Sequence, residues 1–418
     1  MKLFFLFSEA FVLGFFPIML VRKGALSVVY FPLFFFVYSI IDSSLPTSFY
    51  QLLIICFLGY YVIYHLPFFF KNIFSIIIVL YFSLLALDVP DLVKIRSAFL
   101  EVVTLFLLIG VIPEIYKKYP RDVVFKEVSF SAILILVLFI VNALFSTLFK
   151  FNPGMMYGIS GGVLFGKIIF ANFNIMPLAC YVVFQRAIKD KKPLYLLVFL
   201  ITVFLVLLSL RRTVMLLTIL GAFVSLVNLV EFKNLKKLLG LVGVISIVTL
   251  VVITSTGFLG MLKERYELRN LDDKSLEEEQ RIQEIGLVYN DLFVYYDYNP
   301  WFGFRLFDAK GNYGKGVFGD RNLHTDLTVL VHSGGFFGLF LYLSMVCTVF
   351  LSVWRRTSTK FDYMQFFFIL LVFSIFFVTG RFNNVQSSIM IYLILCLPFA
   401  LDEIHSGRQK KVNFPESV

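Results

Sequence analysis

YYDYNPWFGFRLFDAKGNYGKGVFGDRNLHTDLTVLVHSGGFFGLFL, residues 295–341, is the stretch on which the reading of this chain turns. It opens with a proline-aromatic-glycine turn, Asn299-Pro300-Trp301-Phe302-Gly303, and continues as a polar loop with Gly311, Gly314, Gly316 and Gly319. It closes at Arg321-Asn322-Leu323-His324, and a 28-residue run without Asp, Glu, Lys or Arg begins at Leu327. A run of that length and character is a membrane-crossing helix. His324 therefore stands where a polar loop enters a bilayer. An imidazole at such a boundary is suited to accept a proton. The alternative is a loop histidine that hydrogen-bonds water or lipid headgroups.

The rest of the chain has the same character. Of its 418 residues, 59% are hydrophobic and 15% charged, and its mean hydropathy is +0.88. A water-soluble fold of that composition would expose too much apolar surface to stay dispersed, whereas a polytopic membrane protein requires it. The 53 Phe and 21 Tyr suit lipid-facing surfaces and interfacial belts. Cys56, Cys180, Cys347 and Cys396 all fall inside apolar runs and read as small packing residues rather than disulfide or metal partners. No C-x-x-C, H-E-x-x-H or P-loop pattern occurs, so no metal, cofactor or nucleic-acid partner is expected. The N-terminus has signal-peptide features, but Glu9 interrupts its apolar run and it lacks an A-x-A-like cleavage site, so it reads as the first membrane segment.

Hydropathy predicts twelve or thirteen spans, near residues 3–20, 25–41, 49–69, 72–87, 98–114, 128–149, 168–185, 193–210, 213–230, 238–260, 328–353, 363–380 and 384–401. Every second connection is basic, as in Lys117-Lys118…Arg121…Lys126, Arg186…Lys192, Lys233…Lys237, Arg355-Arg356…Lys360 and Arg408…Lys411. The positive-inside rule puts these in the cytoplasm and residues 259–327 outside. That outward segment has thirteen acidic and nine basic residues, a net charge of −4, out of 27 acidic residues in the chain. Thirteen spans put the N-terminus outside, unless an early segment is re-entrant. The expected organisation is an all-α, polytopic helical bundle. Residues 1–258 form a transmembrane part, 259–327 a cap loop on the outer face, and 328–418 the last spans and a cytoplasmic tail.

Within the cap, Ser275 to Tyr296 reads as a helix, opened by a Ser275/Glu278 capping box. Ile282, Ile285, Tyr289, Leu292, Phe293 and Tyr296 form its apolar face. At about 68 residues the segment is too long for a plain connection and suits a functional loop. Residues 150–167, with five glycines, form a second, smaller outward segment.

Several outward arginines are not explained by the positive-inside rule. Arg211 and Arg212 separate two apolar spans, Arg281 lies on the cap helix, Arg305 and Arg321 lie in the glycine loop, and Arg381 sits between two later spans. Arginine donates two parallel hydrogen bonds from a permanently charged fork, the geometry a phosphate or diphosphate needs. Snorkelling to lipid phosphate is the alternative for Arg211 and Arg212, and a solvated surface position is the alternative for Arg281. Several arginines with one histidine point to an anionic lipid-linked substrate with a diphosphate leaving group.

In order and spacing, these residues resemble the O-antigen polymerase and O-antigen ligase superfamily of bacterial surface-polysaccharide enzymes. The resemblance rests on the Asn299–Gly303 turn, the glycine loop, His324, and Gly335 and Gly338 eleven and fourteen positions after it. Arg211-Arg212-Thr213 matches the start of the family's middle span, and Arg281 matches its arginine before the proline turn. The match covers about residues 205 to 345; the N-terminal half agrees in hydropathy alone. Thr325 replaces the usual asparagine, Phe304 a second glycine, and His332-Ser333 stands where an acidic residue is common. These departures bear on substrate detail.

The resemblance implies a GT-C-like bundle in the bacterial cytoplasmic membrane, with metal-independent transfer from an undecaprenyl-diphosphate-linked oligosaccharide. His324 would be the base on the acceptor hydroxyl, or would orient it. Arg212 and Arg281, with Arg211 and Arg305, would hold the diphosphate. Membrane lipid and a chain-length regulator protein are the other implied partners. Three activities remain open at this point: polymerisation of lipid-linked repeat units, ligation of the glycan to lipid A-core, and transport or flipping of the lipid-linked oligosaccharide. The chain has no internal repeat, which disfavours transport.

Overall fold

The computed structural model describes residues 2–40, 46–149, 170–209, 211–229, 280–319, 321–379 and 384–402, with isolated positions 243, 247, 251 and 260. The expected span 238–260 and the start of the cap, 259–279, lie outside the described residues apart from those positions. So do the glycine-rich segment 150–167, Arg381 and the tail after Asp402.

Among the described residues all regular structure is helical. The α-helices are α1 (Lys2–Lys23), α2 (Phe31–Ile40), α3 (Thr47–Phe69), α4 (Ile73–Leu87), α5 (Leu92–Tyr116), α6 (Arg121–Leu148), α7 (Met176–Lys189), α8 (Pro193–Leu208), α9 (Arg212–Leu229), α10 (Gln280–Phe293), α11 (Asp326–Trp354), α12 (Lys360–Thr379) and α13 (Val385–Leu395). Six described segments are long and apolar enough to cross a membrane: Leu6–Tyr38, Thr47–Phe69, Leu92–Tyr116, Arg121–Phe145, Asp326–Trp354 and Lys360–Thr379. The chain has the architecture of a multi-pass helical membrane protein.

The twelve expected spans other than 238–260 each fall on a described helix, but not all of these helices reach membrane-crossing length. Ile73–Leu87, Pro193–Leu208, Arg212–Val227 and Val385–Leu395 are apolar but shorter. At 1.5 Å per residue, the eleven residues of α13 rise roughly 16 Å, about half a hydrocarbon core. Hydropathy alone could not see this, because it counts apolar residues beyond a helix end as helix. The first two expected spans, 3–20 and 25–41, correspond to α1 and α2, and the chain breaks between them. It folds back at the 3-10 turn Gly24–Tyr30, so Phe16 on α1 packs 5.1 Å from Phe31 and 5.6 Å from Phe34 on α2.

One end of the bundle gathers the cations. Lys23 Nζ is 2.8 Å from Glu127 Oε1, and Tyr30 donates to the same carboxylate. Lys189 pairs with Asp122 at 2.6 Å, and Arg121 pairs with Asp362. Lys117 and Arg356 lie over the Phe399 ring, and Lys118 lies over Phe68. Basic connections far apart in sequence thus meet on one face. At the opposite end Tyr50 donates to Glu9, and Gln51 donates to Ser97 at 2.8 Å. Glu9, which interrupts the first apolar run, is buried and hydrogen-bonded there. The start of α1 therefore lies at the end away from the cations.

Helices from both halves of the chain build one core. Tyr81 on α4 donates to the Gly334 carbonyl at 2.8 Å and Asn72, the residue before α4, to the Met345 carbonyl at 3.0 Å, so α4 runs antiparallel to α11. Tyr116 on α5 donates to Leu393 on α13. Tyr181 on α7 stacks on Phe368 of α12, 4.5 Å between centroids. Cys180 and Cys396 are buried packing residues, whereas Cys56 and Cys347 lie on exposed faces of α3 and α11.

Candidate functional site

The cap is anchored through a break in α11. Gly335 adopts φ 62°, ψ −168°, a backbone region essentially reserved for glycine. A break leaves helix N–H and C=O groups without intrahelical partners. The Asn299–Gly303 turn supplies them. Phe336 and Phe337 donate to the carbonyls of Pro300 and Trp301 at 2.9 and 3.1 Å, and Phe304 donates to the His332 carbonyl at 2.7 Å. The approach is so close that a Cβ on Gly335 would stand 2.3 Å from the Trp301 carbonyl, and one on Gly303 (φ 73°) 2.5 Å from the His332 oxygen. The proline turn and the Ser333-Gly334-Gly335 run, separate features in the sequence, are one joint.

α11 is capped by Thr325, the residue before it, whose hydroxyl accepts the Thr328 N–H at 3.1 Å. Such a cap contributes about 1 kcal/mol to a helix start. Thr325, at the position where the resembled family has asparagine, serves as the helix cap. His324 is thereby fixed one residue before the helix cap.

The cap helix α10 corrects one expectation and settles a facing that the sequence left open. It ends at Phe293 rather than Tyr296, where φ becomes +56°. Its apolar stripe does not face inward: Ile282, Ile285 and Tyr289 are exposed, and of the expected face Leu292 is buried. The buried face is Glu284, Val288, Asp291 and Leu292. The two carboxylates are held there because each receives hydrogen bonds from the loop, which offset the cost of removing a charge from water. The Ser275/Glu278 capping box lies outside the described residues.

Glu284 organises the site. Fully buried, it accepts the His324 backbone N–H on Oε2 at 3.0 Å, and Oε1 lies 2.8 Å from His324 Nδ1. Arg321 Nη2 is 3.0 Å from the same Oε1. A carboxylate accepts, so Nδ1 is the nitrogen that carries the proton in this contact, and the lone pair of the neutral ring is left on Nε2. Arg321 Nε, 3.3 Å from the protonated Nδ1, cannot then donate to it; the guanidinium acts through Glu284. The His324 side chain is 31% exposed, and Nε2 makes no hydrogen bond among the described residues. The result is a carboxylate-oriented imidazole with an accessible basic nitrogen, beside a guanidinium.

A second layer supports it. Asp291 Oδ2 accepts the Gly314 N–H at 2.7 Å, and burial raises the Asp291 carboxyl above its usual range. Tyr298 donates to the Asn312 carbonyl, which also lies 3.3 Å from His332 Nε2. His332 is fully buried among the rings of Tyr298, Phe304 and Tyr313 and belongs to the joint.

The structure gathers part of the expected site. His324 joins Arg321, which had been noted as a loop arginine, and Glu284, which had not been singled out. The signal for Glu284 was the spacing Glu284-Val288-Asp291 on the helix face beside the apolar stripe. Arg281 precedes Glu284 by three positions on α10, but its side chain lies outside what is described. Arg305 lies over the Phe304 ring and 3.9 Å from Asp308. Arg211 lies over Phe173, and Arg212, at the start of α9, is exposed and makes no ion pair among the described residues. These contacts do not bring Arg305, Arg211 or Arg212 to the imidazole. Among the described residues no three His, Cys, Asp or Glu side chains come together.

No protein-family model matches the chain, and no curated protein matches it.

Proposed function

We propose that this chain is a glycosyltransferase that polymerises undecaprenyl-diphosphate-linked oligosaccharide repeat units of a bacterial surface polysaccharide. In this reading it works at the outer face of the cytoplasmic membrane, and its bundle is GT-C-like. The observation that supports the reading is the Glu284–His324 pair at the start of a membrane-length helix, with Nε2 left open. A base at the membrane boundary can meet both a sugar hydroxyl from water and a diphosphate anchored in lipid.

In the reaction, His324 Nε2 takes the proton of the acceptor hydroxyl as its oxygen attacks the anomeric carbon. The bond from that carbon to the diphosphate oxygen breaks, and the diphosphate leaves with the electron pair, inverting the anomeric centre. Glu284 holds the ring in the required tautomer and stabilises the imidazolium that forms. Arg321 shares the Glu284 carboxylate with the base, and Arg281 is one helical turn from Glu284. With Arg212 they are the candidates to hold the diphosphate and stabilise charge as it departs. A chain-length regulator protein is the partner this activity would recruit.

The test uses purified protein in detergent with lipid-linked oligosaccharide, with and without lipid A-core. Conversion to a ladder of longer lipid-linked glycans supports polymerisation. Transfer to lipid A-core alone would identify a ligase. No consumption of donor in either mixture, with movement of the lipid across sealed vesicles, would identify a transporter and overturn the proposal.

A further inference from the structure

The helix that carries Glu284 turns its apolar side away from the protein. Ile282 is 42% and Tyr289 57% exposed, with Ile285 between them. These positions recur at steps of three and four, so they form one face, opposite the buried carboxylates. The face does not stop at the end of α10. Tyr289 packs on Phe293 at 5.0 Å, and Phe293 on Phe336 of α11 at 5.7 Å. From Phe336 the stripe continues along α11 through Phe340 and Leu343, bordering a groove of about 530 Å³ that Trp301, Phe337 and Leu339 complete. Trp301 is itself 66% exposed. The exposed apolar side of the cap is thus continuous with the exposed side of a helix long and apolar enough to cross a membrane.

A contiguous apolar surface of this kind is not stable against water. The surface it joins on α11 is covered by lipid if that helix crosses the bilayer. Its composition, with Trp301, Tyr289, Tyr295 and Tyr296 exposed at the rim, is that of a membrane-interface belt. We infer that α10 and the Asn299–Gly303 turn are seated in the outer leaflet of the membrane that α11 crosses, apolar face down at the headgroup–acyl boundary. The cap is then a monotopic element appended to a polytopic bundle. Because α10 presents Glu284 on its other side, the leaflet also sets the height of His324 over the membrane. The inference does not depend on the proposed reaction.

The chain has two tryptophans, Trp301 and Trp354, so each can be read alone. The full-length Trp354→Phe variant in lipid nanodiscs reports on Trp301. Phosphatidylcholines brominated near the glycerol end of the acyl chains should quench its fluorescence about twofold or more, and deep-chain bromines less, with aqueous iodide nearly without effect. A second reporter, Tyr289→Trp with Trp301→Phe and Trp354→Phe, should behave the same way and reads α10 itself. If Trp354→Phe does not fold, the difference between wild type and Trp301→Phe gives the same signal. Strong iodide quenching without bromolipid quenching would place the face in water. Protection from both would mean that protein covers it. Stronger quenching by deep bromines would put it in the hydrocarbon core. Each of these three outcomes overturns the inference.

Discussion

The Glu284 carboxylate holds His324 twice, through the backbone N–H at 3.0 Å and the ring Nδ1 at 2.8 Å, across 40 residues of sequence. The double contact fixes the position of the histidine as well as its tautomer. A single ring contact would leave the loop free to carry the imidazole away.

If His324 is the base, His324→Ala should lower the rate of donor consumption by about 10²- to 10⁴-fold, with insertion and expression unchanged. Glu284→Gln should cost a comparable factor, because its amide can donate to Nδ1 and place the ring proton on Nε2. Single-turnover rates on lipid-linked oligosaccharide measure both. Near-normal turnover of His324→Ala would leave the residue a structural loop histidine.

Arginine identity is testable beside it. Arg321→Lys and Arg212→Lys keep charge but lose the bidentate fork, and either should impair turnover tenfold or more if it grips diphosphate. Arg305→Lys, whose native guanidinium lies against Phe304 and Asp308, should retain most activity. Equal tolerance at positions 212, 321 and 305 would remove arginine from the mechanism.

The joint between cap and bundle should be intolerant of a single methyl group. Gly335→Ala meets the Trp301 carbonyl, and Gly303→Ala meets His332. Backbone strain alone costs roughly 1–3 kcal/mol at such a position. Both variants should melt several degrees lower in detergent, and the double variant should lose less than the sum, since both act on one contact. Additive losses would show that the two glycines serve separate structures.

Asp291 predicts a pH effect on stability. Its carboxyl is raised by burial, so the fold binds that proton more tightly than the unfolded chain does. The contribution is fully present below the usual Asp value of 3.8 and is lost as pH rises through the raised value. Asp291→Asn keeps an acceptor for the Gly314 N–H and removes the ionisation. Thermal melts of wild type and variant should therefore diverge as pH rises, the variant being the more stable above that window. Parallel curves would refute the assignment.

Sidedness is the last prediction. In a background without native cysteines, Asn322→Cys should react with an impermeant maleimide from outside intact cells, and Lys191→Cys only after permeabilisation. The reverse pattern would invert the molecule.

The all-helical, multi-pass architecture was legible in the sequence, because apolar runs of the necessary length have one economical solution in lipid. So was the position of His324 at a helix entrance, since the charge-free run after Asp326 marks that entrance directly. Span lengths were not legible. Hydropathy does not register where α13 stops, although it placed the break between α1 and α2. The facing of α10 was not legible either: an apolar stripe turns inward only if water is the alternative, and here the buried side is taken by Glu284 and Asp291, each with partners supplied by the loop. Which side chain orients His324, and that the Pro300 turn repairs the break at Gly335, are relations between distant segments. Hydrogen bonds across 40 and about 35 positions leave no local pattern, so only the tertiary structure decided them.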